Sequence, residues 1–142
     1  MLAYASVPGL LGLKNKGEAA SPLKLMARIE DGLPVGALAE IAETVTPNAG
    51  YVISRIVAKA TLSRRKKEGA LSPAEGAVVA RLAAIWSQAL EVWGDAEDAR
   101  AFLNRPHPML DGRSPLDVTL QSEIGGEVVS QILGRLQYGS AA

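Results

Sequence analysis

Two four-residue signals limit what this chain can fold into more than any other feature. Ser72-Pro73-Ala74-Glu75 and Ser114-Pro115-Leu116-Asp117 each set a serine at an N-cap, a proline at the first helical position and an acid at the third. A serine oxygen takes a free N–H of the first turn, proline's fixed φ suits that turn, and the acid in the first signal reaches back to complete a capping box. Each signal predicts a helix start. After the first, Val78, Val79, Leu82, Ile85, Trp86, Ala89, Leu90 and Trp93 recur at three-to-four spacing, so the helix runs to about Gly94.

The rest of the chain is punctuated in the same way. Ser21-Pro22 opens a helix with Leu23, Met26, Ala27 and Ile29 at helical spacing, and Gly32 closes it. Pro34 opens a second, with Leu38, Ile41, Ala42 and Val45 on one face. Thr46-Pro47-Asn48 breaks the chain, and Thr46 or Asn48 can cap a third helix carrying Tyr51, Val52, Ile56 and Val57. A turn near Ala58 leads into a short helix over residues 59–68 that Gly69 ends. Asp95 caps a helix with Ala99, Phe102 and Leu103 inward, and Asn104-Arg105-Pro106-His107-Pro108 makes a rigid turn. Gly125-Gly126 reads as a hinge or tight turn before a last helix at 127–137, with Val128, Val129, Ile132, Leu133 and Leu136 apolar. No segment alternates as a strand does, and no repeat of solenoid period is present. The expected class is all-α, with about eight helices: a helix-turn-helix bundle at 21–70 followed by a small helical domain at 71–142. Residues 1–20 read as a flexible arm, because Pro8, Gly9 and Gly12 interrupt their apolar run, which falls far short of the ~20 residues of a membrane span.

Charge is strongly localised. The chain is neutral as a whole, yet between Ser54 and Glu68 it carries six Lys or Arg and one acid, a local +5. Residues 69–142 hold five bases and nine acids. A short cationic helix in a neutral chain points to a polyanion, with DNA the first candidate. Residues 48–67 fit a helix-turn-helix, whose second helix enters the major groove. Thr61 and Ser63 offer short hydrogen-bonding groups, Leu62 anchors the helix, and Arg64 and Arg65 reach guanine edges or phosphates. Lys59, Lys66 and Lys67 suit phosphate. The competing reading is a solvated helix C-terminus, where the dipole favours cations. The turn is reduced to Val57-Ala58 and the recognition surface is short, so specific binding calls for a dimer on paired half-sites.

Several functions are excluded by what the sequence lacks. With no cysteine there is no disulfide, thiolate zinc site or thiol nucleophile, and a reducing cytoplasm is the natural location. The single histidine, His107, cannot build a multi-histidine centre, so neither metal nor cofactor is expected. There is no histidine partner for a serine and no supported carboxylate pair. Gly9 to Gly17 lacks the Gly-Lys-Ser/Thr ending of a phosphate loop. No catalytic residue is assigned, and the chain reads as a non-enzyme.

Phe102-Leu103-Asn104-Arg105-Pro106-His107-Pro108-Met109-Leu110-Asp111-Gly112-Arg113-Ser114-Pro115 closely follows a W-L/F-L-x-x-P-x-x-x-L-x-G-x-x-P run from its second position on, Ala101 standing in place of the W. With Leu71 to Glu75, Ala89 to Asp95 and Val128 to Gly139, it resembles the toxin-binding domain of the Xre/MbcA/ParS antitoxins. Gly32-Leu33-Pro34 and the Thr61-to-Gly69 segment look like their Xre-type helix-turn-helix part, so the resemblance covers about residues 22–139. It implies an antitoxin that binds and blocks a RES-domain, NAD-consuming toxin usually encoded beside it, and that in many cases represses its own promoter. On that footing Asn104, Arg105, Pro106, His107, Leu110, Gly112, Pro115, Leu136, Tyr138 and Gly139 are the expected toxin contacts. Tyr138 and Gly139 would help plug the toxin's NAD cleft.

Bland readings stand beside these. Loop prolines serve as chain reversals, Trp86 and Trp93 as core, His107 as a surface turn residue, and the tail as a frayed end. Trp86, Trp93 and the stripe from Val128 to Leu136 offer enough apolar surface to predict self-association, as a homodimer or within a larger complex with toxin. The alternative function is a stand-alone regulator whose C-terminal half only dimerises or senses a ligand.

Overall fold

The computed structural model describes residues 21–139 together with Tyr4 and Val7. The arm expected at 1–20 and the tail beyond Gly139 therefore lie outside the described residues, those two positions excepted. Val7 is fully buried and Tyr4 packs on the core.

Eight α-helices and one 3-10 turn make up the described residues, and the expected all-α class holds. In chain order they are α1 (Pro22–Asp31), α2 (Val35–Val45), α3 (Ala49–Ile56), α4 (Lys59–Glu68), α5 (Pro73–Trp93), α6 (Ala96–Asn104), the 3-10 turn Pro108–Leu110, α7 (Pro115–Gln121) and α8 (Glu123–Gln137). Four caps are residues the local signals name, whereas Asn48 heads α3 without a side-chain bond and Ser122, not foreseen, caps α8. Ser21, Ser72, Asp95 and Ser114 accept from first-turn N–H groups, and at Ser72 the reciprocal bond from Glu75 completes the capping box. Gly69 and Gly94 end α4 and α5 in the left-handed region. Among the described residues the one extended pairing is a bridge between Pro34 and Ala70, flanked by Leu71 N–H to Leu33 O at 2.8 Å. It ties the entry of α2 to the α4–α5 connection.

The long helix α5 is the axis of the fold. It packs against α1, α2 and α3 on the N-terminal side and α6, α7 and α8 on the C-terminal side. Burial on it exceeds the expected stripe, since Gly76, Ala80, Ala83 and Ala84 are buried together with Val79, Leu82, Ile85, Trp86 and Ala89. A helix apolar on several faces is one surrounded by others. Small side chains on those extra faces let its neighbours approach, so both halves share one core.

Three expectations are corrected. Gly125 and Gly126 form no hinge; they lie inside the first turn of α8, which begins at Glu123 rather than at 127. A Cβ on Gly125 would collide with the carbonyl of Val118, and one on Gly126 would stand 2.8 Å from Cδ of Arg81. The glycines serve close helix packing, and α7 turns into α8 at Ser122 with no loop between. On α1, Leu25 is the buried residue, while Leu23 and Met26 point outward. Trp93 does not share the burial of Trp86: it is 41% exposed against 2%, because the last turn of α5 extends past the core.

Candidate functional site

The first candidate surface is α4. Val57, buried in the turn after α3, and Leu62, packed against the core, seat the helix, which has no fully buried side chain of its own. Lys59, Ser63, Arg64, Lys66 and Lys67 are exposed and Thr61 is half-buried. Arg64 lies 3.7 Å from Glu68, an exposed pair of the kind that contributes little. Arg65 is different. Its guanidinium turns back toward α5, with Nε 2.9 Å from Oε1 of Glu75 and Nη2 3.4 Å from Oε2. A third contact, Nη1 to Glu68 at 3.4 Å, leaves its side chain 18% exposed. Oε1 of Glu75 also accepts from the N–H of Ser72 at 2.8 Å. Burial alone would raise the Glu75 pKa, but the hydrogen bonds from Arg65 and Ser72 outweigh it and hold the carboxyl below its ordinary value.

The second candidate surface lies at the far end of the C-terminal half. An open groove of about 420 Å³ runs between the end of α5, α6, the following turn and the end of α8. Trp93, Ala101, Phe102 and Leu136 supply its apolar lining, and Asp98, Arg105, Pro106 and His107 complete it. The rings of Trp93 and Phe102 are 5.9 Å apart at 39°, and Phe102 meets the edge of His107 at 6.0 Å. His107 is held by the loop it organises. Its N–H donates to Arg113 O at 3.0 Å, and its carbonyl accepts from Leu110 and Gly112. Its Nδ1 accepts from Met109 N–H at 3.1 Å, so the ring proton sits on Nε2. Asp111 and Gly112 both take positive φ, which closes the loop in a conformation glycine adopts freely.

A family model for the antitoxin Xre/MbcA/ParS C-terminal toxin-binding domain matches residues 88–139, and one for the antitoxin Xre-like helix-turn-helix domain matches residues 24–84. The chain belongs to the Xre-type antitoxins. An Antitoxin Xre of Yersinia enterocolitica is 25% identical over 146 residues, spanning 98% of this chain and 98% of the relative. The helix-turn-helix match runs into α5 and the toxin-binding match begins within it, so the two regions of this antitoxin meet on one continuous helix. That family assignment carries a toxin partner and DNA binding with it.

The antitoxin's expected contact residues separate on the structure. Arg105, Pro106, His107 and Leu136 come together in the groove. Gly112, Tyr138 and Gly139 are exposed, whereas Leu110 and Pro115 are buried beneath the loop. The Asn104 amide is engaged internally, donating to Val45 O at 2.9 Å and Arg100 O at 2.8 Å. Trp93, Phe102 and Asp98 also line the groove, although the sequence assigned the two aromatic residues to apolar helix faces and none of the three to the toxin contacts. For Trp93 the signal was present: it stands one residue before the closing Gly94, where a helix outruns its neighbours. No group of three or more His, Cys, Asp or Glu residues that could hold a metal occurs among the described residues. No described helix is long and apolar enough to cross a membrane.

Proposed function

We propose that this chain neutralises a RES-domain, NAD-consuming toxin by seating its C-terminal domain over the toxin's active-site cleft, and that α4 represses its own promoter. The observation that carries the docking reading is the groove. In the part of the chain that matches a toxin-binding domain, Trp93, Phe102 and Leu136 leave apolar surface open beside Arg105 and the Nε2–H of His107. Aromatic side chains and arginine dominate binding energy at protein interfaces, with polar groups setting orientation. The loop carrying Arg105 to Pro108 is held by its own hydrogen bonds and prolines, which lowers the entropy lost on docking. A plugging role for Tyr138 draws support from its 80% exposure just past the end of α8.

Promoter repression draws support from the exposed Lys59, Arg64, Lys66 and Lys67, four cations on one short helix. A pair of such helices in a homodimer would span two half-sites. The test is co-expression. The product of the adjacent gene should arrest bacterial growth and drain NAD, and this chain should restore both. Failure of rescue overturns the toxin reading. Operator binding that persisted without any toxin partner would favour a stand-alone regulator.

A further inference from the structure

Arg65 belongs by sequence to the cationic run facing DNA, yet its guanidinium is spent on the body of the protein. Its partner, Glu75, is the N3 residue of α5 and is itself held by the Ser72 capping box. Arg65 therefore grips the most firmly placed carboxylate near α4, at the head of the helix on which the whole fold packs. The grip matters because α4 has few others. No side chain on it is fully buried, Leu62 and Thr61 are only partly covered, and its exit is fixed by the pairing at Ala70 and Leu71. A planar guanidinium making two bonds to one carboxylate fixes orientation as well as distance.

We propose that Arg65 and Glu75 form a positioning pair that sets the face of α4 presented to DNA, and that Arg65 itself touches no phosphate or base. The proposal rests on the DNA-binding reading above and deepens it. Two consequences follow from charge alone. Arg65 neutralises no phosphate, so its loss releases no fewer counterions and leaves the salt dependence of binding unchanged. Each phosphate-contacting cation, by contrast, contributes about 0.9 to the slope of log K against log salt. Further, Glu75→Gln removes a negative charge near DNA, so simple electrostatics predicts tighter binding, whereas a positioning role predicts weaker binding. Glutamine still closes the capping box, so this variant keeps the helix start intact.

The experiment measures binding of the full chain to its own upstream duplex by fluorescence anisotropy across a series of KCl concentrations. Arg65→Ala and Glu75→Gln are each expected to weaken binding roughly threefold to thirtyfold with an unchanged slope, and the double variant to be no worse than the singles. Arg65→Lys, which keeps the charge but not the fork, should fall between wild type and Arg65→Ala. Lys66→Ala or Lys67→Ala should weaken binding with a slope shallower by about 0.9. A thermal unfolding transition for Glu75→Gln that lies well above the assay temperature keeps an affinity loss from being read as unfolding. Tighter binding by Glu75→Gln, or a shallower slope for Arg65→Ala, overturns the proposal and makes Arg65 a direct contact. A wild-type chain that binds no duplex at any salt overturns the DNA reading, and the positioning role with it.

Discussion

The Nε of Arg100 donates to the carbonyl oxygen of Thr44 at 2.7 Å, so a side chain of α6 closes the last turn of α2. Asn104, one turn on, does the same for Val45. Carbonyls in the last turn of a helix have no partner within it. Here the toxin-binding half supplies that partner to the DNA-binding half. The same guanidinium lies 5.4 Å from the Trp86 ring centroid, which holds it over the core.

Arg100→Ala is therefore expected to lower the unfolding free energy by about 1.5–3 kcal/mol, the range for a hydrogen bond to a charged group. Because both halves share α5, the loss should appear as one shifted transition. Urea unfolding followed by circular dichroism and by tryptophan fluorescence checks this; two separated transitions would show halves that fold independently.

Glycines within α8 should respond in opposite ways. Gly125→Ala drives a methyl into the Val118 carbonyl and should cost about 1–3 kcal/mol. Gly134→Ala meets nothing within 4 Å in the same helix and should stabilise by roughly 0.5–1 kcal/mol. Thermal unfolding of the two variants side by side is sufficient.

Trp86 and Trp93 should likewise divide between stability and binding. Trp86→Ala removes a buried ring and should cost about 3–5 kcal/mol. Trp93→Ala should leave unfolding close to wild type while weakening toxin capture by roughly tenfold or more, the size of a central interface residue. Calorimetry against the purified toxin measures the second effect. Equal affinity for the Trp93 variant would remove the groove from the interface.

Glu75 gives a pH dependence with a definite sign. Its folded-state pKa is depressed, so the ionised form is favoured by folding. The contribution is present above the ordinary glutamate value and is lost as pH falls through the lower folded value. Urea midpoints measured from neutral pH to about pH 3 should therefore fall more steeply for wild type than for Glu75→Gln below the ordinary glutamate range near 4.3. Parallel curves would mean that Arg65 contributes nothing to the carboxylate's ionisation.

What the sequence by itself determined is the list of helices and most of their ends, the start of α8 excepted. Ser72 with Glu75, Ser114 before Pro115, and Gly69 and Gly94 act through bonds and dihedrals within about four residues. A local signal needs no knowledge of the rest of the chain, so the all-α class and the short cationic helix were legible. The run from Phe102 to Pro115 likewise marked out the C-terminal half, through its resemblance to a toxin-binding domain. Only the tertiary structure decided what the side chains do. Gly125-Gly126 reads as a break on local propensity yet lies within a helix, where Val118 and Arg81 approach too closely for a larger residue. Arg65 reads as one cation among several until Glu75, ten residues on, takes hold of it. Trp93 repeats the spacing of Trp86 yet stays partly exposed, because α5 outruns the helices that bury the earlier ring. These outcomes depend on which distant atoms a fold brings within reach, and spacing along one helix carries no record of them.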